Sequence, residues 1–268
     1  IILEMGGCTV ERVIYKKNPL AEVIIQYRFP QILALNTNDP IDFQDAIKED
    51  YPLYRLDIEN QQEVSFAINQ ENAIPPIPTI IQKPIVKNHS FISADGMHKI
   101  NLTNSFISIS TLGYTRWEEM LSRFTKPLTK FEEIYLPPFY ERIGLRYIDV
   151  FSRQNLGLEG TPWKELINPF YIGAFQNIDE DSILSAGLNV EYYLDNKKSI
   201  AKIHTGIGTA NNNPEQVFIL DSDFVHIDNI KRTACAEVLD YLHTNAKNVI
   251  GYAVTEKLHL AMEPEIVQ

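Results

Sequence analysis

The residues best suited to chemistry sit in a few short runs. In "DSD", Asp221 and Asp223 stand two positions apart. On a strand this spacing turns both carboxylates to one face, as a divalent ion or a general-base pair requires. A solvated strand end satisfies the same pattern, and no third ligand follows it. His204 precedes the run and His226 follows it. These four residues are the candidate catalytic set of an enzyme reading, hydrolytic or nucleotide-directed. A different chemistry is suggested by "ERIGLRYIDVF" (residues 141–151), which alternates like a half-buried strand yet carries Arg146 inside it. Arg28 has a related place in "AEVIIQYRF" (residues 21–29). A guanidinium is always charged and offers a rigid fork of donors. Arg28 and Arg146, with the adjacent Tyr27 and Tyr147, are therefore candidates for holding a carboxylate or phosphate ligand. Alternatively, Arg146 pairs with Glu22, Glu141 or Asp149 and fixes strand register.

Other site chemistries lack their residues. No two of the six histidines stand at the i, i+4 spacing of a helical metal pair. "GIG" (206–208) lacks the third glycine and the following helix of a phosphate cradle, and no Gly-x-Ser-x-Gly elbow occurs. Neither a metal nor a cofactor is expected.

The elements that must position these residues recur in order. "AEVIIQYRF" places Val23, Ile25, Tyr27 and Phe29 on one face of a strand. Asp39 and Pro40 then open a short helix as N-cap and first helical residue. The strand-like runs "LYRLDI" and "EVSFAI", the proline-rich loop "AIPPIPT" and a hairpin turning at Gly96 follow. The hairpin's second strand is read as one run, "HKINLTNSFISIST". Thr115 and Glu118 form a capping box, and Trp117, Leu121, Phe124, Leu128, Phe131 and Tyr135 recur at helical spacing, with a kink expected at Pro127. The order then restarts: "RIGLRYID" aligns with "EVIIQYRF", matching Val23, Ile25 and Tyr27 to Ile143, Leu145 and Tyr147. Thr161-Pro162 repeats Asp39-Pro40, three strand candidates follow, and one helix from about Ala234 to Met262 closes the chain. The expected fold is α+β: two similar halves, each an antiparallel sheet with a short helix and one long covering helix, in a pseudo-twofold tandem arrangement. The expected boundaries are an N-terminal extension (1–17), a first half (18–137) and a second half (138–268), packed as one unit.

Taken together, "NPLAEVIIQYRFP", "DFQDAIKEDYP", "YTRWEEM", "ERIGLRYID" and "VLDYLHTNAKNVIGYAVTEKL" resemble a sporadically distributed family of uncharacterised bacterial and archaeal proteins of about this length. The extra first seventeen residues depart from the family's pattern. The resemblance implies no activity. The family's patchy distribution is similar to that of phage-defence and toxin-neutralising genes, an association and not a mechanism.

Composition narrows the partners. A net charge of −11 repels phosphate backbones, so nucleic acid is not the expected partner. Between residues 42 and 71 eight carboxylates face only Lys48 and Arg55, either a solvated surface or a docking face for a basic protein. Two cysteines, Cys8 and Cys235, suit a reducing cytoplasm. No secretory leader or membrane span is read, and Met5 offers an alternative start to Ile1. The expectation is a cytoplasmic, non-enzymatic binding or accessory module with a protein partner, a second copy of itself or a small anionic ligand. The enzyme reading stands as its alternative.

Overall fold

The computed structural model describes residues 13–59, 62–66, 78–82, 86–194, 197–209 and 215–266, with backbone alone for 59, 62–66 and 78–82. In chain order the strands are β1 (Val13–Tyr15), β2 (Leu20–Arg28), β3 (Leu53–Glu59), β4 (Gln62–Phe66), β5 (Pro78–Gln82), β6 (Val86–Ile92) and β7 (His98–Leu102). They continue with β8 (Phe106–Thr111), β9 (Tyr140–Phe151), β10 (Ala186–Tyr193), β11 (Ser199–Thr209), β12 (Gln216–Ile230) and β13 (Pro264–Ile266). The helices are α1 (Ala34–Thr37), α2 (Ile41–Ile47), α3 (Trp117–Tyr135), α4 (Arg153–Leu156), α5 (Trp163–Leu166), α6 (Pro169–Ile172), α7 (Cys235–Ala253) and α8 (Glu256–Ala261).

The fold is α+β. Nine strands form one antiparallel sheet in the order β10-β11-β12-β9-β2-β8-β7-β6-β3, and β1-β13 and β4-β5 form separate pairs. Strands β2 and β9 are central because both are apolar on alternate residues and flanked by pairing strands on each side. Val23, Ile25, Tyr27, Ile143, Leu145 and Tyr147 all point to one face and are buried there. Helices α3 and α7 cover that face, α3 against β8 and α2, α7 against β9 and β12. No helix among the described residues is long and apolar enough to cross a membrane.

Several local expectations are corrected by what competes for each backbone group. The single terminal helix is two, because Val254 bridges to Ile167 and the Thr255 side chain caps the N–H of Leu258, restarting the turn. The run 98–111 is not one strand: Thr103 Oγ1 accepts from the N–H groups of Ser105 and Phe106, bending the chain into a second hairpin. Pro40 occupies the N-cap position itself, and Asp39 reaches Lys87 Nζ at 3.1 Å instead of capping. The Thr115–Glu118 box does not form; Thr115 bonds Glu119 and Arg116 is the uncapped N-cap. The loop residues 73–77 of "AIPPIPT" lie outside the described residues.

Helix α3 continues through Pro127. Proline has no N–H, so the Arg123 carbonyl four residues earlier loses its helical donor. Tyr51 replaces it, donating its hydroxyl to Arg123 O at 3.2 Å. Tyr51 is buried and its phenol is pushed up to about 12 by that burial. Tyr51→Phe is expected to destabilise the chain by about 1–3 kcal/mol, the cost of an unsatisfied buried carbonyl, measured by urea denaturation. An unchanged midpoint would mean that water serves the carbonyl equally well.

Candidate functional site

The sheet's face opposite α3 and α7 carries a lattice of charge. Side chains two apart on each strand share a face, so Arg142, Arg146, Asp221, Asp223, Lys202 and His204 all project there. Arg146 faces Asp223 across the β9–β12 ladder, but its fork reaches diagonally to Asp221. Its Nε donates to one Asp221 oxygen at 2.7 Å and its Nη2 to the other at 2.5 Å. The expected partners Glu22, Glu141 and Asp149 are thus corrected to Asp221; Asp149 projects from the opposite face. Arg142 donates to Gln26 on β2 at 2.7 Å and to Asp223 on β12 at 3.3 Å, tying three strands together. Burial draws the Arg142 guanidinium down and pushes the Asp223 carboxyl up, while Arg142 and Arg146 pull that carboxyl back. Lys202 pairs with Glu191 at 3.3 Å. Around these groups lies a cleft of about 300 Å³ that His204 also lines. Its arginine, Arg146, and both its aspartates are already engaged.

The sequence does explain this packing in one place. A Cβ on Gly144 would lie 2.8 Å from Arg142 Nη1, so the glycine of "RIGLR" is the floor on which the guanidinium rests.

The covered face holds a different site. A cavity of about 360 Å³ opens between β1, the start of β2, the first turn of α3, α7 and the sheet. It is walled by Tyr15, Tyr114, Trp117 and Tyr147, with Asp149 and Ser222 rising from the sheet. Trp117 stacks on His243, ring centroids 4.1 Å apart and planes 7° from parallel. His243 Nδ1 lies 2.8 Å from the Tyr147 hydroxyl, and His259 Nδ1 lies 2.9 Å from that of Tyr15. Ala21 is an extra residue in β2: Leu20 faces Asp149 while Glu22 faces Ile148. Such a bulge re-aims neighbouring side chains, here at the mouth of the cavity.

Asp149 is 4% exposed, and among the described residues its carboxylate accepts no hydrogen bond. Burial pushes it up to about 7, and the Asp221 charge beyond the sheet adds to the rise. Burial likewise raises the Tyr147 hydroxyl well above its ordinary value.

The sheet divides the residues singled out from sequence. Arg146, Asp221, Asp223 and His204 meet in the charged cleft. Arg28 is exposed on the same face, directly across from Arg142 and not beside Arg146. Tyr27 and Tyr147 project from the other face: Tyr27 packs edge-on against Phe124 and Tyr140, and only Tyr147 reaches the cavity. His226 joins neither site, pairing with Ser199 Oγ at 2.7 Å, and burial holds it below its ordinary value. Asp149, Trp117 and His243 were missed as site residues. A signal existed for Asp149: it follows Ile143, Leu145 and Tyr147 at strand spacing, a carboxylate on an apolar face. The pairing of Trp117 with His243 has none, because the two helices meet only in three dimensions. No family model and no curated protein sequence matches the chain.

Proposed function

We propose that this chain is a binding module built from two like halves, with its recognition site in the cavity beside Asp149. The tandem reading is supported by strand order. From β2 outward the first half runs β2-β8-β7-β6-β3, and from β9 outward the second runs β9-β12-β11-β10, so in each half the first strand neighbours the last. The β2–β9 register pairs Val23 with Tyr147, Ile25 with Leu145 and Tyr27 with Ile143. A twofold axis through the Ile25–Leu145 pair exchanges those residues in the way the repeat alignment requires.

One observation carries the choice of site: a buried carboxylate that has no hydrogen-bond donor among the described residues faces an open cavity, while the charged cleft has its own ions paired. Leaving Asp149 unsatisfied costs stability, and a ligand that supplies the missing donor recovers it. Ala246 on α7 lines the cavity, so Ala246→Phe closes the space without adding charge. Thermal-shift screening of a metabolite library should find compounds that raise the wild-type melting temperature and leave Ala246→Phe unmoved. A ligand that shifts both equally would place the site elsewhere.

A second reading has one observation of its own. A carboxyl near 7 in a cavity is poised for general acid–base work. On this reading Asp149 replaces Asp221, Asp223, His204 and His226 as the catalytic candidate. Turnover of a bound compound, lost in Asp149→Asn, would favour it. The wider role we infer is that of a cytoplasmic accessory protein in phage defence or toxin neutralisation. A basic protein partner would dock on the exposed Asp42, Asp45 and Glu49 of the α2 region.

A further inference from the structure

We propose that the cavity beside Asp149 selects a small planar cation carrying N–H donors, an amidinium, guanidinium or protonated amino-heterocycle. This rests on the cavity being the recognition site and names the class of ligand it takes. The argument begins with what the cavity already satisfies. The Tyr15 and Tyr147 hydroxyls of the aromatic wall are engaged with His259 and His243. Neither is spent on the carboxylate. Ser222, buried beside Tyr147 on the next strand, likewise makes no hydrogen bond to it.

Charge around the opening does not decide the ligand's sign. Arg116 and Lys247 supply two positive charges to the lining, and Glu118 and Asp240 supply two negative ones. Arg116, Glu118 and Asp240 are exposed and Lys247 is half-buried, so solvent screens them more than Asp149. The field at depth is therefore set by the one carboxylate that solvent scarcely reaches. A cation there gains a charge-assisted hydrogen bond to it. Aromatic faces reward the same ligand, since their negative quadrupoles attract a cation and their flat surfaces accept a planar one. A carboxylate or phosphate meets the opposite conditions, which turns the expectation of an anionic ligand around at this site.

Protons provide the check. With the Asp149 carboxyl at about 7, roughly a tenth of the sites are ionised at pH 6 and nine-tenths at pH 8. The other titratable rings near the cavity, His243 and His259, meet it through the hydroxyls of Tyr147 and Tyr15 and not through Asp149.

Benzamidine, benzamide and benzoate share shape and differ in charge, so titration calorimetry with all three separates the terms. The expected result is that benzamidinium binds at least tenfold tighter than benzamide at pH 8, with benzoate weakest. Its affinity should rise roughly tenfold from pH 6 to pH 8, with proton release into the buffer, as expected from the ionised fraction. Asp149→Asn should abolish both the preference and the pH dependence. Benzamide or benzoate binding as tightly as benzamidinium overturns the ligand class, as does a wild-type affinity flat across that pH range. Either result leaves the binding site itself standing if Ala246→Phe still blocks the compound. A ligand that binds Ala246→Phe unimpaired removes the site and the inference together.

Discussion

Asp149→Asn should make the chain more stable at pH 8, by about 2–4 kcal/mol, and should leave it little changed at pH 4. The sign follows from proton counting. The folded carboxyl is raised from 3.8 to about 7 by burial, so between those values the folded state holds a proton that the unfolded state has released. The native form is then favoured at low pH, and that stability is lost as pH rises through about 7. An amide cannot ionise and escapes the loss. Buried histidines work the other way. His89, His98 and His226 are all held below their ordinary values by burial, so they stabilise the native form as pH rises through the imidazole range. The wild-type profile mixes both slopes, and only the difference between wild type and Asp149→Asn isolates the carboxylate. Urea denaturation at pH 4, 6 and 8 measures it. A difference independent of pH would mean that Asp149 ionises freely in the fold and is not the buried acid described above.

Arg142→Met should cost about 2–4 kcal/mol, because it leaves both Asp223 and Gln26 without their donor inside a partly buried lattice. The side chains of Arg142 and Asp223 are 23% and 28% exposed, so solvent recovers part of the loss. Arg146→Met should cost less, under about 2 kcal/mol, since the Arg146 side chain is 44% exposed and water can replace more of it. Gly144→Ala sets a Cβ against the same guanidinium and should displace it. If so, the two changes are not additive: in an Arg142→Met background Gly144→Ala should cost almost nothing. Denaturation midpoints of the two single variants and the double variant test the cycle. Additive losses would show that the glycine serves the backbone and not the arginine.

Both predictions rest on residues whose parity could be read before the fold was seen. Alternation within residues 21–29 and 141–151 places Val23, Ile25, Ile143 and Leu145 in the core, with Arg28 and Arg146 on the other face. That is local geometry, since successive side chains in a strand must point to opposite sides whatever their neighbours are. The same rule set Asp221 and Asp223 side by side. Helix α3 was readable from its stripe, although its cap was not, because Thr115 had two glutamates within reach and the structure chose Glu119.

What the amino-acid order determined by itself, then, was periodicity: which segments pair as strands, which wind as helices, and which side of each is apolar. Partnership was decided only in three dimensions. Arg146 could have met any of several carboxylates, and the stagger between β9 and β12 selected Asp221. The Trp117–His243 stack, and the space left beside Asp149, exist because α3 and α7 lie over the sheet where β1 joins β13. Periodicity is set by bonds between neighbours in the chain. Contacts between residues a hundred positions apart are set by how the packed layers come to rest, and the candidate site is made of those contacts.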